Sequence, residues 1–345
     1  MTGQLQITRE EHLGIIALNR PEAINALSLE MIDGISRTLE DWRDDDGIRA
    51  VLFEGIGPRG FCSGGDVRAV RAAVLAGEHD QARAFFAAEY RMNGLIAGYR
   101  KPRIALSHGI VMGGGIGIAG HCNFRFTTPG ARFAMPEAAI GFFTDVGVNA
   151  ILAKAPWPRA LLFTLSGLPV GAADAVALGL ADCVVPEDRF ADLRIGFVAA
   201  AKADNVDAAL VALMQAHAVD AGEPVLCPLA DLHGSAFGAG DAEAIVAGLA
   251  AVVDPRLAPF VKALAGRSPT SLETIVLSHA AARALGDIGA VLAMDLRLAV
   301  LLSGLPDFAE GVRALLIDKD QRPNWQPAGF AAVPRAAIEA AIGSG

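Results

Sequence analysis

The chain has 345 residues, of which 29 are Lys or Arg and 38 are Asp or Glu, so its formal net charge is −9. With 53% hydrophobic and 19% charged residues, it holds enough apolar material for a large core, which excludes an intrinsically disordered chain. The acidic balance also argues against nucleic-acid binding as the main role, because no basic stripe matches a phosphate backbone.

The first half of the chain predicts strands that alternate with helices. Short apolar runs at residues 15–18, 49–53 and 102–107 predict buried strands. Ser28 is a suitable N-cap for a helix over residues 29–42, where apolar side chains recur at helical spacing. Such alternation is typical of a parallel sheet with helical crossovers. The predicted fold class is therefore α/β.

The second half changes character near residue 190. Beyond that point the chain is rich in Ala and other helix formers, and residues 272–302 predict one or two long amphipathic helices. We therefore expect two regions, a core over residues 1–190 and a mainly helical C-terminal region over residues 191–345.

The sequence also predicts a cytoplasmic protein that does not enter a membrane. Residues 104–124 are the longest stretch without Asp, Glu, Lys or Arg, but two histidines and a glycine-rich middle make them a poor spanning helix. The first fourteen residues lack the apolar centre of a signal peptide. Neither a disulfide framework nor a zinc site is expected, since the four cysteines are widely spaced at Cys62, Cys122, Cys183 and Cys227.

Two glycine-rich segments are candidate ligand loops. Residues 60–66, GFCSGGD, are either a turn before a helix or a loop whose backbone N–H groups face a ligand oxygen. Residues 108–117 contain a glycine triplet, which indicates either close helix packing or a helix start that is open to an anion. Neither segment decides between these interpretations when taken alone.

A third segment, residues 133–147, places Glu137 and Asp145 in an otherwise apolar run. Charged residues are rarely buried without a reason. Apolar surroundings raise the pKa of a carboxyl group, which suits acid–base or nucleophilic chemistry. The alternative is structural, with an N-cap at one acid and a salt bridge at the other.

Together, these segments resemble the crotonase superfamily, also called the enoyl-CoA hydratase/isomerase family, whose opening signature is similar to residues 20–27, RPEAINAL. The resemblance implies a crotonase-like (ββα)n spiral core with a helical C-terminal region. It also implies an oxyanion hole, made of two backbone N–H groups around an acyl-CoA thioester carbonyl. By motif position, these two groups belong to Cys62 and Gly114.

Within this family the chain is most similar to the 3-hydroxyisobutyryl-CoA hydrolases. Hydratases of the family carry two catalytic glutamates; Glu137 matches one, whereas Gly117 stands at the position of the other. The hydrolases resemble this chain at Asp145 and in their C-terminal signature, which is similar to residues 307–320. Glu89 matches a glutamate that is tied to the substrate site in that subfamily.

The resemblance implies hydrolysis of 3-hydroxyisobutyryl-CoA or 3-hydroxypropionyl-CoA, with a place in valine degradation. Glu137 and Asp145 are then catalytic, and Glu89, Gly114, Glu137 and Asp145 bind the substrate. Glu137 either attacks the thioester or acts as a general base on water. No metal or separate cofactor is expected, because CoA is part of the substrate, and we expect a homo-oligomer, either trimer-based or dimeric.

Two departures beside Asp145 leave the acyl chain open. Thr144 and Val148 stand where the family more usually has proline and glycine. The alternatives are an enoyl-CoA hydratase or isomerase of the same superfamily and, from a different class, a non-catalytic member that binds acyl-CoA or RNA.

Overall fold

The structure, a computed structural model, describes residues 3–238 and 240–343. Its strands are β1 (Leu5–Glu10), β2 (Leu13–Leu18), β3 (Ala50–Gly55), β4 (Gly60–Cys62), β5 (Arg103–Leu106), β6 (Ile110–Met112), β7 (Phe124–Thr127), β8 (Arg132–Ala134) and β9 (Cys183–Val184). Its α-helices are α1 (Leu29–Trp42), α2 (Val67–Leu75), α3 (His79–Ala97), α4 (Gly114–Ala119), α5 (Val148–Leu152), α6 (Trp157–Ser166), α7 (Ala172–Ala177), α8 (Phe190–Lys202), α9 (Val206–His217), α10 (Leu226–Leu232), α11 (Ala242–Ala251), α12 (Ala258–Ala265), α13 (Pro269–Leu285), α14 (Ile288–Ser303), α15 (Pro306–Val312) and α16 (Arg335–Gly343).

The larger sheet has the strand order β1-β2-β3-β5-β7-β9. β1 and β2 form an antiparallel hairpin, and every pair from β2 to β9 is parallel. Parallel strands need crossover connections, and α1 supplies one between β2 and β3. The predicted α/β class is confirmed, and so is the predicted N-cap, since Met31 N donates to Ser28 Oγ at 3.3 Å.

The chain divides into two compact units. The first comprises the residues up to Gly65 together with Arg91–Phe133 and Gly171–Pro224. Its core lies between the larger sheet and helices α8 and α9, where the rings of Phe126 and Phe197 have centroids 5.1 Å apart. These helices belong to the predicted C-terminal region, yet their apolar faces cover the sheet. The predicted boundary at residue 190 therefore does not coincide with the compact units.

The second unit comprises Asp66–Tyr90, Ala134–Val170 and the residues from Val225 onward, and it is mainly helical. α13 is buried on most of its sides, as expected for a helix at the centre of a bundle. The long amphipathic stretch predicted over residues 272–302 is formed by α13 and α14. Gly286 ends α13 in the left-handed conformation, and Asp287 caps α14 by accepting from Ala290 N at 2.8 Å.

Among the described residues, no single helix is long and apolar enough to cross a membrane. The segments Ile288–Ser303 and Pro306–Ile317 reach the length and apolar composition of a span only when taken together, and the chain bends by 81° between them.

Candidate active site

The two glycine-rich segments come together at one edge of the smaller sheet, within the first unit. Its strand order is β4-β6-β8, and β4 runs parallel to β6, so Cys62 and Met112 end their strands at the same edge. A Cβ built on Gly115 would lie 2.6 Å from the Cys62 carbonyl oxygen, and one built on Gly64 would lie 3.6 Å from Gly114 N. Cys62 and Gly114 are therefore neighbours, and only glycine at position 115 permits this approach.

Residues 20–27 hold the Cys62 loop in place. The side-chain amide of Asn25, which is fully buried, donates to Phe61 O at 2.9 Å. Ser63 N donates to Ile24 O at 2.9 Å. The sequence identified this segment only as a family signature. In the structure, its hydrogen bonds fix the backbone on both sides of Cys62.

This edge offers backbone donors rather than reactive side chains. The Cys62 Sγ donates to Asn25 O at 3.1 Å and lies 3.5 Å from Gly64 N, so the thiol is engaged within the loop. The first N–H groups of a helix have no acceptor inside it, and α4 begins at Gly114. Backbone donors at one point stabilise an oxyanion without reorganisation. The role of Cys62 and Gly114 as an oxyanion hole stays a prediction.

Among the buried carboxyl groups of the second unit, four interact electrostatically, because the charge of Asp145 acts on Glu89, Glu137 and Asp295. Glu89 lies on α3, Glu137 opens a 3-10 helix (Glu137–Ile140), Asp145 lies in the loop before α5, and Asp295 lies on α14. Their exposed fractions are 8% or less. Among the described residues none of the four forms an ion pair with Lys or Arg, so the salt bridge considered for Glu137 or Asp145 is not present there. We call these four residues the carboxyl cluster.

Burial raises the pKa of every group in the carboxyl cluster, because an ionised carboxylate loses its solvation. The pKa of Glu89 rises to about 8 and that of Asp145 to about 7. Burial raises the pKa of Glu137 well above its usual value, and the charge of Asp145 adds to the rise at both glutamates. Glu89 and Asp145 therefore exchange protons near neutral pH, which suits acid–base catalysis.

Asp145 has one strong hydrogen-bond donor. The Tyr90 hydroxyl donates to Asp145 Oδ2 at 2.6 Å, and both side chains are buried. The bond favours the ionised form of Asp145 and lowers its pKa against the larger effect of burial. Burial and the nearby charge of Asp145 also raise the pKa of Tyr90, so the phenol stays protonated and remains a donor.

Aromatic packing fixes the segment that carries these acids. The ring of Phe142 stacks on Phe86 of α3, with centroids 5.2 Å apart, and contacts Phe308 of α15 with centroids 5.5 Å apart. Phe142 lies between Glu137 and Asp145 in the chain. The backbone that joins the two acids is therefore fixed by helices from distant parts of the sequence.

Several polar atoms in this region are left without hydrogen-bond partners among the described residues. They include Glu89 Oε1, Glu137 Oε2 and Thr144 Oγ1. Buried polar atoms in native proteins are almost always hydrogen-bonded, so these atoms are candidates to bind a substrate hydroxyl or a reacting water. In the part of the chain that the structure describes, no three His, Cys, Asp or Glu side chains are placed to hold a metal ion.

The candidates named from the sequence fall into two groups. Cys62 and Gly114 are neighbours in the first unit, and Glu89 lies with the two acids of residues 133–147 in the second. Tyr90 and Asp295 were not assigned from the sequence. Asp295 stands alone as an acid in the apolar helix α14, the same signal that singled out Glu137, so it could have been found.

The chain is similar in sequence to known proteins of one enzyme family. A sequence model of the family described as enoyl-CoA hydratase/isomerase matches residues 13–342. A Xenopus tropicalis protein named 3-hydroxyisobutyryl-CoA hydrolase, mitochondrial, is 36% identical over 330 residues, which cover 94% of this chain and 85% of that protein. The Homo sapiens protein of the same name is 35% identical over 318 residues, with coverages of 91% and 82%.

Two solved structures have the same fold as this chain, but they are named for activities other than thioester hydrolysis. A carnitinyl-CoA dehydratase from Mycobacterium thermoresistibile has a TM-score of 0.90 and 35% identity, and the match covers 99% of this chain and 96% of that one. An enoyl-CoA hydratase from Rhodobacter sphaeroides also has a TM-score of 0.90, with 32% identity and coverages of 99% and 97%. The predicted fold is confirmed by this similarity over nearly the whole of each chain.

Proposed function

Because the chain belongs to the enoyl-CoA hydratase/isomerase family, we propose that it hydrolyses the thioester of 3-hydroxyisobutyryl-CoA or 3-hydroxypropionyl-CoA to the hydroxy acid and free CoA. The observation that carries the proposal is the buried pair of Glu137 and Asp145, in which the charge of Asp145 acts on Glu137 and Tyr90 donates to Asp145. The names of relatives with 34–37% identity over more than nine-tenths of the chain support the same reaction.

The proposed reaction begins at the thioester carbonyl. The N–H groups of Cys62 and Gly114 donate to the carbonyl oxygen and stabilise the negative charge that develops on it when the carbon becomes tetrahedral. Loss of one such donor typically lowers kcat by ~10²–10³-fold. The glycine-rich backbone therefore matters as much as the acidic side chains.

Glu137 supplies the acid–base or nucleophilic step by one of two routes. In the first, its carboxylate attacks the carbonyl carbon, the C–S bond breaks, CoA leaves as a thiolate that takes up a proton, and water hydrolyses the resulting anhydride. In the second, Glu137 removes a proton from a water molecule as that water attacks the same carbon, the C–S bond then breaks, and the proton held by Glu137 passes to the leaving CoA thiolate. Both routes end in the hydroxy acid and CoA thiol.

Asp145 gives the reaction its proposed selectivity. Its carboxyl group binds the β-hydroxyl of the acyl chain, and it orients Glu137 or assists protonation of the leaving thiolate. A site built to bind a hydroxyl group discriminates strongly against chains that lack one, because a buried polar group is then left unpaired. Thr144 and Val148, which flank this acid, are expected to choose between the two β-hydroxy substrates.

A hydratase or isomerase is the second candidate, and the names of the two solved structures with TM-scores of 0.90, a dehydratase and a hydratase, favour the hydratase. Against a hydratase stands Gly117, a fully helical, buried residue at the position where hydratases of the family carry their second glutamate. An isomerase needs only one proton shuttle along the acyl chain, which Glu137 and Asp145 could provide.

A panel of thioesters separates these functions. Purified protein is mixed with 3-hydroxyisobutyryl-CoA, 3-hydroxypropionyl-CoA, acetyl-CoA and crotonyl-CoA, and free thiol is followed with a disulfide dye. Rapid release from the two β-hydroxy substrates alone supports the hydrolase. Loss of the crotonyl absorbance without thiol release identifies a hydratase instead, and conversion of a 3-enoyl-CoA identifies an isomerase.

Assembly and compartment are part of the proposal. We expect a homo-oligomer, and light scattering of the purified protein should give a multiple of the 35.7 kDa chain mass. The cytoplasmic location stays a prediction, whereas the Xenopus tropicalis and Homo sapiens relatives are mitochondrial by name. Fractionation of the source cells with an antibody to the chain would decide the compartment.

A further inference from the structure

The backbone that follows Asp145 is held in an unusual conformation. Val146 has a φ of 52° and Gly147 a φ of 71°, so two consecutive residues lie in the left-handed region. Glycine adopts this region freely, but for a β-branched residue such as valine it is an outlier that costs free energy. Strain of this kind persists only where the surrounding structure holds it, and it concentrates at functional sites.

Asp295 supplies a side-chain contact to this turn, beside the backbone bond from Val148 N to Asp145 O at 3.1 Å. Gly147 N donates to Asp295 Oδ2 at 2.9 Å, although the two residues are 148 positions apart in the chain. Asp295 is completely buried in the middle of α14, and its Oδ1 has no hydrogen-bond partner among the described residues. A carboxyl group is costly to bury, so helix packing alone does not account for an acid at this position.

A second contact fixes the other side of the same loop. The side-chain nitrogen of Asn149 donates to Thr144 O at 3.1 Å. The side-chain Oδ1 of Asn149 lies 3.1 Å from His279 Nδ1 on α13. The loop is thus linked to α13 at Thr144, before Asp145, through the Asn149 side chain, and to α14 at Gly147, after it. Asp145 itself is left to interact with Tyr90.

From this geometry we propose that Asp295 is a positioning residue that holds the Gly147 N–H, fixes the Val146–Gly147 turn and thereby aims the Asp145 carboxyl group. The inference rests on the proposed function for its effect on catalysis, while its effect on the loop is independent of any substrate. Asp295 acts through an accepting oxygen, so its charge is not required. The groups that face it and titrate are Asp145 and, beyond it, Tyr90.

Two substitutions separate the accepting oxygen from the charge. Asp295→Asn keeps an oxygen that can accept from Gly147 N, so kcat for 3-hydroxyisobutyryl-CoA should stay within about threefold of wild type. Asp295→Leu has a similar shape and no acceptor, so kcat should fall by on the order of 10²-fold with little change in KM, as for a misplaced catalytic group. The acidic midpoint of the kcat–pH profile should move in Asp295→Leu, because the surroundings of Asp145 change.

Asp287→Ala is the matched control for helix stability. Asp287 caps the same helix, α14, and is exposed. Its loss should lower the melting temperature without changing kcat or the pH profile. A role of Asp295 in stability alone would make Asp295→Leu behave like this control, and that result would overturn the proposal.

Hydrogen exchange gives a readout that does not depend on activity. The amides of residues 144–150 should exchange faster in Asp295→Leu than in wild type, and at the wild-type rate in Asp295→Asn and Asp287→Ala. If wild type releases no thiol, the proposed function fails, while this exchange pattern still supports the positioning role. Unchanged exchange in a folded Asp295→Leu protein refutes the positioning role, whether or not the wild type is a hydrolase.

Discussion

The loop edge of the first unit and the carboxyl cluster of the second are built from different chemical groups. Around Cys62 and Gly114 the useful groups are backbone N–H donors, and glycine at position 115 matters because it has no side chain. In the carboxyl cluster the useful groups are buried side chains whose pKa values are raised by their surroundings. The first region therefore depends on backbone shape, and the second depends on electrostatics.

The largest effect is expected from the carboxyl cluster. Glu137→Gln keeps the size of the side chain but removes its basicity, so kcat should fall by ~10²–10⁴-fold. The measurement is thiol release from 3-hydroxyisobutyryl-CoA. Glu243→Gln, at an exposed position on α11, is the control and should match wild type. A loss of less than about tenfold in Glu137→Gln would remove Glu137 from its assigned role, since acid–base groups contribute more than that.

The backbone region should respond to an added methyl group. Gly115→Ala places a Cβ 2.6 Å from the Cys62 carbonyl oxygen, so the loop and α4 must separate and kcat should fall by ~10²–10³-fold, as for a lost oxyanion donor. Gly130→Ala is the control, because a Cβ there meets no atom within 4 Å. Full activity in Gly115→Ala would show that the approach of Cys62 to α4 is not needed for the reaction.

Tyr90→Phe tests whether a single hydrogen bond tunes the cluster. Without the donor, the pKa of Asp145 should rise further, and kcat should fall on the order of tenfold, the usual worth of a hydrogen bond to a charged group. The pKa of Asp145 can be followed by carbon NMR of its carboxyl group. Tyr99→Phe is the control, since the Tyr99 hydroxyl donates to Leu39 O at 2.8 Å and not to a member of the carboxyl cluster. Equal effects of the two substitutions would contradict a specific role for Tyr90.

The smallest effect concerns stability as a function of pH. Because the pKa of Glu89 is raised to about 8 in the folded protein, the folded state holds an extra proton between its unfolded and folded pKa values. The free energy of unfolding should therefore fall as pH rises through this window. Glu89→Gln should match wild type near pH 5 and be more stable by roughly 1–3 kcal/mol near pH 9. Urea unfolding at the two pH values measures the difference, and a Gln variant less stable at pH 9 than wild type would show that Glu89 has a compensating partner.

The difference between the two regions also explains what the sequence could predict. Backbone features lie in short, contiguous segments, so strands β2, β3 and β5, the Ser28 cap, the α13–α14 region and the glycine-rich loops could be recognised. Glu137 and Asp145 stood out because both acids fall in one apolar run. Tyr90 and Asp295 come from α3 and α14, and only folding brings them to Asp145. The compact units could not be predicted either, because α8 and α9 pack on a sheet formed earlier in the chain.

The most direct test of the account is selectivity for the β-hydroxyl group. The ratio of kcat/KM for 3-hydroxyisobutyryl-CoA to that for isobutyryl-CoA should be measured for wild type and for Asp145→Asn by thiol release. We expect wild type to prefer the hydroxylated substrate by ~10²-fold or more, and the substitution to reduce that preference. Equal rates with both substrates would contradict the proposal that Asp145 binds the hydroxyl group of the substrate. No thiol release from either substrate would contradict the proposal that this chain hydrolyses the thioester.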